Sequence, residues 1–146
     1  MITESYRYLA TKRKTQYTFQ SEGLQGKIVK IILFDLQDNG EWNLGFGDWS
    51  KGKVDDSVIS NNHDAFKVIG TVAKATLDFF EEYPESIVII KPVDEKRKKL
   101  YNTVFQRHFK DINPLFDVVG FINGEKEVYS PQKFFDSFKI PLKFVE

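Results

Sequence analysis

The run KIVKIILFDLQDNGEWNLGFGD, residues 27–48, decides the fold. Residues 27–36 are, after Lys27, apolar on both alternate sets apart from Lys30 and Asp35, which predicts a central strand covered on both faces. Asp38-Asn39-Gly40 then predicts a tight hairpin turn, because Asn-Gly tolerates the positive φ of the primed turns that match strand twist. A return strand is expected over 41–48, with Trp42, Leu44 and Phe46 on one face. Upstream, residues 14–20 alternate and set Thr15, Tyr17 and Phe19 together, as a half-buried strand does. The glycines of 21–26 mark the turn that joins it to the central strand. Three antiparallel strands in a meander are therefore expected to open the chain.

Working outward, residues 49–62 are polar and predict a long loop. The apolar period changes to about 3.6 over 64–83, where Ile69, Val72, Ala73, Thr76, Phe79 and Phe80 share a stripe opposite Lys67, Thr71, Lys74, Asp78 and Glu81. Asn61, Asn62 or Asp64 is placed to cap this helix, and Pro84 closes it. The unbroken run 87–90 predicts a strand, and 94–109 a second helix with Asp94 and Glu95 at its positive end. Strands are expected over 115–122 and 126–129. Ser130-Pro131 predicts a short helix through Phe138, and a last edge strand is expected over 140–145. The order β-β-β-α-β-α-β-(β)-α-β predicts an α+β fold: one mostly antiparallel sheet with two main helices.

The chain has 146 residues, and Lys plus Arg balance Asp plus Glu at 21 each. Such a balance argues against a general nucleic-acid binder, which draws on surplus positive charge. With 41% hydrophobic residues and 14 Phe, the chain is too apolar to be disordered, and its length predicts a single domain over 1–146. No cysteine is present, which excludes disulfides, thiolate metal sites and a cysteine nucleophile. No apolar run approaches the roughly 18 residues of a spanning helix, and the first residues do not read as a signal peptide. A cytoplasmic protein without membrane association is expected.

The zero charge is a cancellation. Residues 91–110 hold seven Lys or Arg against two Asp or Glu, whereas 61–90 hold two against five. At helical spacing Lys96, Lys99, Thr103, Gln106 and Lys110 share an outer face, while Arg97 falls in the inner sector near Tyr101. An inward Arg beside a helix N-terminus and Lys91 suits an anion, since the unpaired N–H groups and the guanidinium both attract negative charge. The competing structural reading pairs Arg97 with Asp48 or Asp64. A second corner, Phe46-Gly47-Asp48 leading toward His63-Asp64, has glycines that permit close approach. The candidate ligand or anion pocket is thus Asp48, His63, Asp64, Lys91, Arg97 and Tyr101. The two histidines lack metal-ligand spacing, and phosphate-loop and nucleophile-elbow motifs are missing, so no catalytic residue, cofactor or metal is assigned. The readings in play are a non-enzymatic interaction domain with a protein partner or a second copy, a phosphate-ligand binder, and RNA contact through Lys96, Lys99, Arg107 and Lys110. Phe134-Phe135-Asp136-Ser137-Phe138 is expected under the sheet or at a dimer contact.

Residues 61–72, NNHDAFKVIGTV, followed by RKKLY at 97–101, resemble an uncharacterised bacterial family found mostly in Bacteroidetes. The family's opening Tyr-x-Phe-x-Ser strand corresponds here to Tyr17, Phe19 and Ser21, and its Phe-Gly-Asp corner to Phe46, Gly47 and Asp48. The resemblance spans about 17–109 and implies a bacterial origin with no assigned activity. Where the family carries a Gly-Ser-Thr-like turn, this chain has Lys91-Pro92-Val93. The element order also resembles the acetyl-CoA-dependent acetyltransferases, and Leu100-Tyr101 resembles their Leu-Tyr pair. That resemblance implies, as an alternative reading, a degenerate acetyltransferase-like enzyme using Asp48, His63, Arg97 and Tyr101. Residues 58–63, however, lack every glycine of their pyrophosphate loop.

Overall fold

The computed structural model describes residues 4–50, 53–55 and 64–141. The chain is α+β, with elements β1 (Tyr8–Ala10), β2 (Gln16–Gly23), β3 (Gly26–Leu36), β4 (Trp42–Ser50), β5 (Lys53–Asp55), α1 (Ala65–Glu82), β6 (Ile87–Ile90), α2 (Glu95–Ile112), β7 (Val119–Ile122), β8 (Glu125–Val128) and β9 (Ser137–Pro141). Pairing is mostly antiparallel, but β4 and β6 run parallel, so the sheet is mixed. The residues form two compact units, one of Ile2–Asp35 with Leu44–Pro84 and one of Leu36–Asn43 with Glu85–Glu146. Both β3 and β4 pass from one unit into the other, leaving Trp42 in the second and Trp49 in the first.

In the first unit the strand order is β1-β2-β3-β4, with β5 on β4. Phe19 pairs with Lys30 and Tyr17 with Ile32, so alternate residues of both strands present one face to α1. There the Phe34 and Phe79 rings stack at 4.2 Å, and Tyr17, Ile32, Phe79 and Phe80 are fully buried. The expected meander is present. Two strands join it: β1, too short for its alternation to be read, and β5, inside the expected loop. Residues 51–52 and 56–63 lie outside the described residues.

In the second unit the order is β4-β6-β9-β7-β8. The hairpin closes at the expected place but not through a primed turn: the Gly40 N–H donates to the Gln37 carbonyl at 3.0 Å, and Gly40 alone takes positive φ, +86°, while Asn39 does not. Trp42 pairs with Val88 on one side of β6, and Ile140 pairs with Val88 on the other. Three further expectations are corrected. The short helix through Phe138 does not form: residues 131–133 turn, and β9 begins at Ser137. Phe135 and Phe138 are both fully buried, and the backbone at Ser137 and Phe138 is committed to the ladders with β6 and β7, so it cannot also close helical hydrogen bonds. Likewise the strand expected from 115 begins at Val119, after a turn and a lone bridge at Phe116. The last strand, expected at an edge, is interior: β9 pairs with β6 on one side and β7 on the other, and residues 142–145 fall outside the described residues. Helix α2 reaches Ile112 across a non-helical residue at His108.

Candidate functional site

Where α1 begins, the first unit holds a cluster of polar side chains. Asp64 occupies the N-cap position, yet its side chain makes no cap hydrogen bond. Its Oδ2 instead accepts from the Ser21 hydroxyl and the Tyr6 hydroxyl, each at 2.5 Å. The Tyr6 oxygen in turn accepts the Glu22 N–H at 3.0 Å, and the Tyr6 N–H donates to Thr71 Oγ1 at 2.7 Å. Burial, then the Asp64 hydrogen bond, pushes the Tyr6 phenol above its ordinary value. Thr71, expected on the outer face of α1, is fully buried because its hydroxyl serves both Tyr6 and the Lys67 carbonyl. On the same sheet face Lys30 is buried, bonded to Asp48 and 5.9 Å from the Phe46 ring. A buried lysine needs such a partner, since an unpaired charge there costs several kcal/mol.

This cluster is built for holding rather than reacting. Ser21 is fully buried, and its hydroxyl proton is committed to a carboxylate, which orients it without the strong base that activates a serine. His63, the candidate acid-base residue, lies outside the described residues.

In the second unit, Asp94 caps α2. It accepts from the Arg97 backbone N–H at 2.8 Å and from the Arg97 guanidinium at 2.9 Å. The backbone hydrogen bond, then the Arg97 charge, holds its carboxyl below the usual range. Arg97 is inward as expected, at 5% exposure, but its partner is Asp94 rather than Asp48 or Asp64. An acceptor three residues earlier on the same helix needs no tertiary approach. Lys91 is exposed and Tyr101 half-buried. Of the six candidate residues, Asp48 and Asp64 belong to the first unit, Lys91, Arg97 and Tyr101 belong to the second, and His63 lies outside the described residues.

Asn102 is the residue that sequence reasoning missed. Fully enclosed on α2, it donates to the Phe135 carbonyl and accepts the Phe135 N–H, both at 2.8 Å, and also donates to the Lys98 carbonyl. An amide at an inward helix position was the available signal. Lys98 itself bonds Asp136, which is held below the ordinary carboxylate range by that lysine first and the Asn123 N–H second. Lys96, Lys99, Gln106, Arg107 and Lys110 are exposed along α2.

The sheet's other face in the first unit carries a shallow groove of about 320 Å³, lined by Arg7, Tyr8, Leu9, Thr18, Phe19, Gln20 and Val29. Leu9 sits opposite Thr18 and Gln20 opposite Val29, so these side chains share that face. Leu9 is 77% exposed and Val29 39%.

A family of unknown function, DUF6934, matches residues 2–143. The chain belongs to it. The DUF6934 match runs past the 17–109 span of the resemblance and takes in β1 as well as β7, β8 and β9. No curated protein and no solved structure matches this DUF6934 chain. Among the described residues no helix is long and apolar enough to cross a membrane, and no group of three or more His, Asp or Glu could hold a metal ion.

Proposed function

We propose that this DUF6934 chain is a non-enzymatic, cytoplasmic bacterial binding domain that docks a protein on the groove face of β1, β2 and β3. The observation that carries this reading is the pairing of Leu9 and Val29 exposure in a predominantly apolar groove. Chemistry-bearing side chains elsewhere are engaged by their own neighbours: Lys30 by Asp48, Asp64 by Ser21 and Tyr6, Arg97 by Asp94. The phosphate-ligand and acetyltransferase-like readings are weaker for a specific reason. An incoming anion at either helix N-terminus would meet a resident carboxylate, Asp64 at α1 or Asp94 at α2.

A photo-crosslinking residue at Val29 is expected to give a discrete protein adduct in the producing cell, lost with Leu9→Asp. The same residue at Lys74, exposed on α1, gives none. A millimolar acetyl-CoA or nucleotide that raises the melting temperature would overturn the reading. The second reading, RNA contact, rests on the exposed Lys96, Lys99, Arg107 and Lys110 of α2. RNA retention that does not weaken with salt removes it.

A further inference from the structure

Strand β1 ends the strand order among the described residues, and its own three residues carry no charge. Sheet edges are ordinarily protected by charge, because their unpaired N–H and C=O groups recruit other strands. The opposite end follows this rule: β8 reads Glu-Lys-Glu-Val. By contrast β1 reads Tyr-Leu-Ala, with no charge in it.

The ladder also fixes which backbone groups are available. Thr11 N–H donates to the Gln16 carbonyl at 2.9 Å, and hydrogen-bonded pairs alternate along an antiparallel ladder. Leu9 therefore bonds toward Thr18, while the N–H and C=O groups of Tyr8 and Ala10 turn away from β2. Among the described residues none of these four groups has a partner.

Charge says what kind of strand fits. No Asp or Glu occurs between Ser5 and Ser21, while Arg7 precedes β1 and Lys12, Arg13 and Lys14 follow it. Arg7, Lys12 and Arg13 are exposed, and Lys14 leans on Asp78 at 3.6 Å. Asp78 and Glu81 act on Tyr8 from α1, on the face away from the groove. A second copy paired about Leu9 would bring Arg7 and Lys12 of both chains to one seam, like charges facing like.

Resting on the binding-domain reading above, we propose that the partner is an extended, acid-flanked peptide segment that adds to the β1 edge as a further strand. Its backbone takes the N–H and C=O groups of Tyr8 and Ala10. An apolar side chain settles beside Leu9 over the groove, and Asp or Glu on either side meets Arg7 and the Lys12–Arg13 pair. Strand addition of this kind draws affinity from the main chain and specificity from alternate side chains.

The test uses fluorescent peptides of about eight residues with a Val-Thr-Val centre, flanked by Glu in one set and by Lys in the other. The Glu set is expected to bind at least about tenfold tighter at low salt, with the preference fading toward molar salt. Ala10→Pro removes an outward N–H without taking a bond from the ladder, so it should leave melting unchanged and weaken the Glu peptide by about tenfold or more. Arg7→Glu with Arg13→Glu should reverse the preference. Equal binding of both sets, or full binding by Ala10→Pro, would falsify the assignment. So would a dimer in light scattering that Ala10→Pro dissolves, because the edge would then belong to a second copy. A surviving Val29 adduct beside failed peptides sinks this inference alone, and loss of both sinks the binding domain as well.

Discussion

Asn102 and Tyr129 show opposite ways of burying a polar atom. The Asn102 amide satisfies both backbone groups of Phe135 inside the core. Asn102→Leu keeps the volume but strands a buried N–H and C=O, and should cost about 2–4 kcal/mol in urea titration. The Tyr129 hydroxyl, among the Phe105, Phe109, Phe135 and Phe138 rings, is buried with no partner among the described residues. Burial pushes its phenol up to about 12. The unfolded phenol titrates near about 10, so stability is flat below that pH and falls between about 10 and 12, where only the unfolded chain gives up the proton. Tyr129→Phe should gain about 1 kcal/mol at neutral pH and lose part of that alkaline fall. The remainder is shared by Tyr6, Tyr8 and Tyr17, whose phenols burial also raises, and by Lys98, raised by its hydrogen bond to Asp136. Urea titrations at pH 7, 9 and 11 check both. Of these residues the sequence exposed only the aromatic phase. Arg97 was legible as inward because helical spacing places it there, whereas the Asn102 clamp depends on where Phe135 returns 33 residues later.

Elements were legible where length allowed a period to repeat. Both long helices and the central strand run many residues, so their patterns repeat and their ends are marked by Asp64, Pro84 and Asp94. The three residues of β1 carry no repeat, and the Ser130-Pro131 signature was overridden by the tertiary demand to bury Phe135 and Phe138. The close seat of Phe135 over Gly120, where an added Cβ would lie 2.1 Å from the ring, shows how tightly that turn is committed. The two helix caps differ in use. Asp94 caps α2 and pairs with Arg97, so Asp94→Ala should lower the melting temperature. With its folded carboxyl lowered, Asp94 contributes fully above about pH 4 and loses that contribution as acid protonates it in the folded state. Melting scans from pH 7 to 3 should find the variant's deficit shrinking toward acid. An undiminished deficit would assign it to helix propensity.

At the scale of the molecule, net zero charge separates into a basic α2 and an acidic α1, and the acid-free stretch from Ser5 to Ser21 is a third domain of charge that a total conceals. Composition excluded a protein driven by bulk charge; it could not say which edge strand carries no charge, because that depends on strand order. We propose that 1–146 unfolds as one cooperative domain, since β4 runs unbroken from Trp42 and Asn43 in one compact unit to Ser50 in the other. A single urea transition is expected, and two separated transitions would refute it.

That passage of β4 also equips the molecule optically. The chain's two tryptophans stand on this one strand, Trp42 in one unit and Trp49 in the other. Trp42→Phe and Trp49→Phe therefore yield two single-colour versions of the same protein, each glowing from a different unit. No dye, tag or added cysteine is needed to watch either unit unfold.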